Sequence, residues 1–211
     1  MPYLNSKSRL AIELSKLKVF ENPDVKTEQY PMDSEFGAEV LWDAYFKGDI
    51  ENKAVADLGC GTGILGIGAL LLGAKLVYFV DSDEKAIAIA KENLSRFTIL
   101  DKDKAVFIVK DVNDFKENVD TVIQNPPFGT KQKHADRDFL MKAFEISDSI
   151  YSFHKATSKN FIEKISSDNG FRIANYYGFD FPLKASQLFH KKNIHRIKVG
   201  CWRLVREQKR L

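Results

Sequence analysis

Ala54-Val55-Ala56-Asp57-Leu58-Gly59-Cys60-Gly61-Thr62-Gly63-Ile64-Leu65-Gly66 decides the fold. Residues 54–58 are a short apolar run suited to a strand buried on both faces, as in a parallel sheet. Glycines 59, 61 and 63 make a loop, and residues 64–72 read as an apolar helix that Gly73 stops. Strand, glycine loop and helix in this order form the first unit of a doubly wound α/β sheet. Gly61-Thr62-Gly63-Ile64-Leu65-Gly66 also matches the G-x-G-x-x-G dinucleotide fingerprint. Asp57 and Gly59 argue for a different ligand, because the loop begins earlier and a carboxylate beneath it repels a pyrophosphate. That carboxylate suits a ligand bearing an ammonium and a sulfonium.

Further strands follow at regular intervals. Residues 76–80 form the second, with Asp81 at its carboxyl end and Asp83 capping a helix that runs to about Arg96. Asp81 is placed to hold two ribose hydroxyls, a role common to both cofactor classes. Residues 105–110 form the third strand and end at Asp111-Val112, a carboxylate and an amide suited to an adenine edge. Thr121-Val122-Ile123-Gln124 is the fourth, and Asn125-Pro126-Pro127-Phe128 stops it. Neither proline donates to a ladder and each restricts the residue before it, so Asn125 stands extended at a strand's carboxyl end. Its amide oxygen, the Pro126 carbonyl and the Phe128 ring fit one task. Two acceptors hold both hydrogens of a planar amino group while a ring stacks on the system that carries it.

A helix from about Asp138, a strand over 149–153, a helix from about Thr157 and strands over 171–177 and 194–204 continue the alternation. Helices over 8–19 and 35–47 precede it. The expected fold is a doubly wound, seven-stranded Rossmann-like sheet with helices on both faces. Residues 1–48 are expected as a helical segment packing on and closing over the ligand site, and 49–211 as the catalytic domain.

With 211 residues, 44% of them hydrophobic, the chain can bury one good core. It has no apolar run approaching the roughly 18 residues that span a bilayer, and its start lacks a signal peptide's basic and apolar blocks. Cys60 and Cys201 are the only cysteines, so neither a disulfide framework nor a metal site is expected, and a reducing cytoplasm is. The net charge is +3, yet residues 184–211 hold nine Lys or Arg against Glu207 alone, which leaves the remainder acidic. A basic end on an acidic body suggests a polyanionic partner. Lys131, Lys133, His134 and Arg137 follow the proline motif, and His154-Lys155 follows the fifth strand. With His190, Lys191 and Lys192 they read as a rim for phosphate contact, which Arg196 and Lys198 extend. Phe179, Phe181 and Phe189 read as core residues.

Taken together, Asp57, the glycine loop, Asp81 and Asp111 resemble the class I S-adenosylmethionine-dependent methyltransferases, and Asn125-Pro126-Pro127-Phe128 resembles their amino-methylating branch. Glu28-Gln29-Tyr30-Pro31, Gly129-Thr130-Lys131 after the proline motif, Tyr151-Ser152-Phe153-His154-Lys155 and Phe189-His190-Lys191-Lys192 narrow this further. With them the chain resembles the methyltransferase-like protein 5 family from about Glu28 to Leu204. The resemblance implies methylation of the exocyclic amine of an adenine in small-subunit ribosomal RNA, with S-adenosyl-L-methionine as cofactor. It places Gln29, Tyr30, Gly59, Gly61, Thr62, Gly63, Ile64, Asp81, Asp111, Val112 and Asn125 on cofactor-contacting positions. It makes Asn125 catalytic, with Pro126, Pro127 and Phe128 beside it. Met32 stands where the family usually carries a cofactor-touching threonine, and a thioether cannot make that hydroxyl bond. Eukaryotic relatives work with a small zinc-binding activator that adds to a sheet edge, for which residues 105–109 are the candidate strand here.

A protein glutamine-amide methyltransferase also uses Asn-Pro-Pro-aromatic, though usually with tyrosine last and a separate substrate domain. A DNA adenine methyltransferase needs a target-recognition domain, and none is evident. A non-catalytic cofactor-binding scaffold would have no need of intact Asp57, Asp81 and Asn125, and a simple NAD-dependent reductase would need a Tyr-Lys pair or other hydride-site chemistry.

Overall fold

The fold is given by a computed structural model that describes residues 3–20, 32–127, 135–183 and 195–207, and only the backbone of 181–183 and 195–197. The strands are β1 (Ala54–Leu58), β2 (Leu76–Asp81), β3 (Ala105–Val109), β4 (Thr121–Gln124), β5 (Ser149–Lys155), β6 (Phe171–Leu183) and β7 (His195–Arg206). They form one seven-stranded sheet in the order β3-β2-β1-β4-β5-β7-β6. The strands from β3 to β5 are mutually parallel, and β7 lies antiparallel between β5 and β6. The chain therefore winds outward from β1 to β3, then back past β1 to β4. That reversal between β1 and β4 is the switch point where doubly wound sheets open a ligand crevice.

Helices cover both faces. On one side lie α1 (Lys7–Ser15), α2 (Ser34–Phe46), α3 (Ile64–Leu71) and α4 (Glu84–Ser95), whose Leu10, Leu14, Leu41, Ile67, Leu70, Ile87 and Leu94 join one buried cluster. On the other lie α5 (Ala135–Ile146) and α6 (Lys159–Asp168), which bury Leu140, Phe144, Ile162 and Ile165 against Leu58, Val122 and Trp202. Close packing of α3 depends on two absent side chains. A Cβ on Gly68 would stand 2.4 Å from Leu41 Cδ1, and one on Gly66 would stand 2.3 Å from Phe79 Cε1. The carboxylates of Asp33 and Asp83 cap α2 and α4 by accepting backbone N–H bonds, as expected for Asp83.

Three boundaries differ from the sequence reading. The first helix ends at Ser15, not at 19, because the buried amide of Asn93 takes both the N–H and the C=O of Lys18. Those bonds hold the chain on α4 instead of in a further helical turn. The last two strands pair from Phe171–Arg206 to Leu183–His195, with one register shift between Ile173 and Asn175, extending the sheet beyond residue 177. The fifth strand runs to Lys155, two residues past its expected end.

Candidate active site

The carboxyl ends of β1, β2 and β4, with the segment after β3, converge on a cavity of about 240 Å³. Asp57, Gly59, Gly61, Thr62, Ile64, Asp81, Asp111, Val112 and Asn125 all line it, as does Pro127. Adjacent parallel strands bring them together. In the register Leu58 pairs with Val80 on one side and with Gln124 on the other. The glycine loop, the Asp81 carboxylate and Asn125 therefore leave the sheet side by side.

The loop is held from below and from the side. Gly59 and Cys60 donate to the Val80 carbonyl at 2.8 and 3.0 Å. Gly59, Gly61 and Gly63 have φ of +67°, +52° and +83°, a region that any Cβ would strain. At Gly59 an added Cβ would also stand 2.8 Å from Phe139 Cε1, so backbone and α5 meet with no room between them. Gly63 occupies the N-cap of α3 and has no side chain to offer. Asp57 serves in its place by accepting the Gly66 N–H at 2.8 Å. A carboxylate from β1 thus satisfies an orphan donor in the first turn of α3, where the helix dipole favours negative charge.

Burial dominates the electrostatics of Asp57, which is 1% exposed. Desolvation pushes its carboxyl up to about 7, against the Gly66 bond and with help from the nearby charge of Asp81. Desolvation raises Asp81 too, opposed by the N–H groups of Asp83 and Gly61. Asp81 Oδ2 accepts from Gly61 at 2.8 Å and Oδ1 from Asp83 at 2.9 Å. Each oxygen keeps capacity for one more donor, so a vicinal diol fits. Asp111 Oδ1 accepts from the backbone and side-chain nitrogens of Asn113, which makes Asp111 the cap of a short turn as well as a wall of the cavity.

Phe20, Lys110 and Phe139 also line the cavity and carried no motif signal, and Met32, which stands at the family's threonine position, lines it too. Phe20 and Met32 come from the two ends of the segment between α1 and α2. Asn93, fully buried on α4, ties this wall to the loop. Its Nδ2 donates to the carbonyls of Thr62 and Lys18, and its Oδ1 accepts the Lys18 N–H. A helical asparagine bridging two chain segments leaves no sequence period to detect. We expect Asn93→Leu to cost about 1–3 kcal/mol, because three buried bonds go unmade. Chemical denaturation would measure the loss, and an unchanged midpoint would refute the role.

The basic rim is only partly described. Arg137 is exposed on the first turn of α5, and Lys155 is half-exposed at the end of β5. Lys131, Lys133, His134, His190, Lys191 and Lys192 lie outside the described residues, as do Gln29, Tyr30 and Phe128, and for Phe181 and Arg196 only the backbone is described. His154 does not belong to the rim. The longer β5 keeps it inside the sheet opposite Gly200, where it is 1% exposed. Burial lowers its pKa to about 3, so the ring stays neutral and out of reach of a phosphate. Its Nε2 lies 2.6 Å from Ser152 Oγ, which accepts from Gln124 Nε2 at 2.9 Å. This buried polar row includes Gln124, the residue before Asn125. Cys60 and Cys201 are both buried free thiols whose pKa burial pushes well up.

Known proteins resemble this chain in sequence and in fold. The chain is 36% identical to the rRNA N(6)-adenosine-methyltransferase METTL5 of Danio rerio, over 88% of this chain and 92% of that one. The chain belongs to the METTL5 family. An uncharacterized Methanocaldococcus jannaschii protein is 41% identical over 94% of this chain and 93% of its own. Among solved structures, a candidate RNA methyltransferase of Pyrococcus horikoshii is 47% identical, with a TM-score of 0.87, covering 96% of this chain and 98% of that one. The sequence profile of ribosomal protein L11 methyltransferase (PrmA) matches residues 41–126 only. That stretch carries the glycine loop and the first four strands and ends at Pro126.

Proposed function

We infer that this chain transfers a methyl group from S-adenosyl-L-methionine to the exocyclic amine of an adenine in RNA, with small-subunit ribosomal RNA as the substrate. The observation that carries this is the convergence of Asp57, Asp81, Asp111 and Asn125 on one cavity at the switch point of the sheet.

The residues present fit the cofactor. The glycine loop offers backbone that a Cβ would fill, Asp81 has acceptor capacity for a diol, and buried Asp57 complements a cation. Asp111 and Val112 wall the adenine end, and Gln29 and Tyr30 extend the contact set by family resemblance. Phe20 and Met32 support a reading in which residues 1–48 close over this site. Met32 supplies apolar contact there in place of the family's hydroxyl.

When bound, the cofactor supplies an electrophilic methyl on a sulfonium. Asn125 and the Pro126 carbonyl accept the two hydrogens of the target amine and favour its pyramidal form, which frees a lone pair otherwise delocalised into the ring. Pro126 and Pro127 fix those acceptors before the substrate arrives, and Phe128 stacks on the extruded base. The spare proton passes to water after transfer, so no strong base is required. Lys131, Lys133, His134, Arg137, Lys155, His190, Lys191 and Lys192 complete the reading as phosphate contacts.

β3 is an edge of the sheet, its residues half-buried and Val109 exposed. An apolar edge left open invites strand addition, which supports docking of a small zinc-binding activator there. No described helix is long and apolar enough to cross a membrane.

Radiolabelled cofactor should be offered with small-subunit rRNA, intact small subunits, DNA and release factor, and the products digested. Label in N6-methyladenosine from small-subunit RNA is the expected result. Label in protein glutamine, or in none of the substrates with the activator present, would overturn the reading.

A pH dependence follows from Asp57. Its folded-state pKa of about 7 lies above that of a free carboxyl. The protonated group therefore favours folding fully below about pH 4, and that contribution fades as pH rises through about 7. A bound ammonium reverses the preference and favours the carboxylate. Cofactor affinity should then fall by up to about tenfold per pH unit below about 7, with proton release on binding. Calorimetry in buffers of different ionisation enthalpy measures both, and Asp57→Asn should flatten the acidic limb. A profile equally steep in that variant would assign the effect elsewhere.

A further inference from the structure

We propose that Tyr176 is a stacking platform for an RNA base neighbouring the target adenine; this rests on the RNA reading above and deepens it. Tyr176 lies on β6, at the end of the sheet opposite β3, and is 51% exposed. An exposed aromatic in a strand is ordinarily free to swing, and this one is not. Its ring lies 4.9 Å from that of Trp202, tilted by 55°. It also covers two glycines. A Cβ on Gly200 would stand 2.4 Å from Tyr176 Cε2, and one on Gly178 would stand 3.3 Å from Cε1. Glycine inside a strand weakens it and marks a close approach. Here the approaching group is the tyrosine ring, seated on bare backbone with one side backed and the other open.

The register shows which way the ring leans. Tyr176, Trp202, Ser152 and Gln124 are successive cross-strand partners, so Tyr176 is three strand spacings, ~14 Å, from the strand that ends in Asn125. Gly178, Gly200 and His154 form the next row towards the carboxyl end of β5. The ring leans over that row, towards the edge of the sheet where Asn125 emerges. Exposed Lys198 and Asp180 face each other one row further on. Its backing is rigid. Trp202 is 1% exposed, with its ring 5.9 Å from that of His154, and His154 bonds into a row with Ser152 and Gln124, the residue before Asn125. Target base and platform are therefore held on one frame. A base extruded at Asn125 leaves its neighbours unstacked, and a fixed aromatic face beside the site offers them a replacement surface.

The alternative is that the ring serves only as an apolar lid on Trp202 and Gly200. Leucine would serve as a lid but has no π face, and phenylalanine would serve as both. The full-length protein, loaded with S-adenosylhomocysteine, should be titrated into a dye-labelled single-stranded oligoadenylate, and methylation kinetics followed on small-subunit rRNA. Tyr176→Phe is expected to bind as wild type. Tyr176→Leu and Tyr176→Ala are expected to bind on the order of tenfold more weakly or worse, and KM for RNA should rise while kcat changes by less than about twofold. Cofactor affinity and thermal stability should hold in Tyr176→Leu. If Tyr176→Leu binds RNA as tightly as Tyr176→Phe, the ring is a lid and the platform is overturned alone. Wild-type protein that neither binds nor methylates RNA overturns the RNA reading itself, and the platform with it.

Discussion

Asn125→Ala should lower methyl transfer by about 10²–10³-fold while cofactor affinity stays near the wild-type value. Asn125 follows the last residue of β4 and is half-buried on the wall shared by Asp57 and Asp111. Truncation removes an oriented acceptor and leaves the glycine loop, Asp81 and Asp57 in place. Its effect should therefore fall on kcat and on kcat/KM equally, the pattern of an interaction made in the transition state. Asn125→Asp keeps the acceptor but adds a further carboxylate to a cavity already lined by Asp57, Asp81 and Asp111, so it should fall between wild type and alanine. Single-turnover methylation with bound cofactor separates the two steps. Near-normal turnover in Asn125→Ala would remove this residue, and the proline motif with it, from the mechanism.

The second large effect concerns the fold around the cofactor loop. Gly66→Ala should destabilise the protein by about 1–3 kcal/mol or more, the usual cost of forcing a methyl into a filled core. The added Cβ would stand 2.3, 2.8 and 2.9 Å from three atoms of the Phe79 ring. That ring has no free direction, since Phe79 is 0% exposed and stacks on Phe107 at 4.7 Å and 18°. Gly66 also donates the bond that holds Asp57, so a shift of α3 reaches the ligand site. The melting temperature should drop by roughly 2–4 °C for each kcal/mol in a chain of this size. Phe79→Leu in the same chain should recover part of the loss, and the double-mutant cycle gives the coupling. Additive effects would mean that the two groups do not meet.

These two positions divide differently between sequence and structure. The place of Asn125 at a strand's carboxyl end was legible because two prolines must end a strand. Gly66 was visible only as the last glycine of a fingerprint that suggests the wrong ligand class. Its actual constraint is a phenylalanine 13 residues further on, in the neighbouring strand. Periodicity reports which residues are buried but not which side chain a given backbone must approach.

The same distinction runs through the site. Residue order alone determined the alternation of strands and helices, the four strand ends bearing Asp57, Asp81, Asp111 and Asn125, and the cap at Asp83, because each rests on local backbone chemistry. Tertiary structure decided what no local rule contains. It set the order β3-β2-β1-β4 that places those four ends around one cavity. It tied Asn93 to Lys18 and Thr62, bringing the N-terminal wall to the glycine loop and ending the first helix early. It also withdrew His154 from the expected rim. A histidine followed by lysine reads as polar and terminal, yet an antiparallel partner in β7 carries the strand on and buries the ring between Ser152 and Trp202. Strand length there was set by the partner across the sheet, and pairing of that kind is a long-range property absent from either segment taken alone.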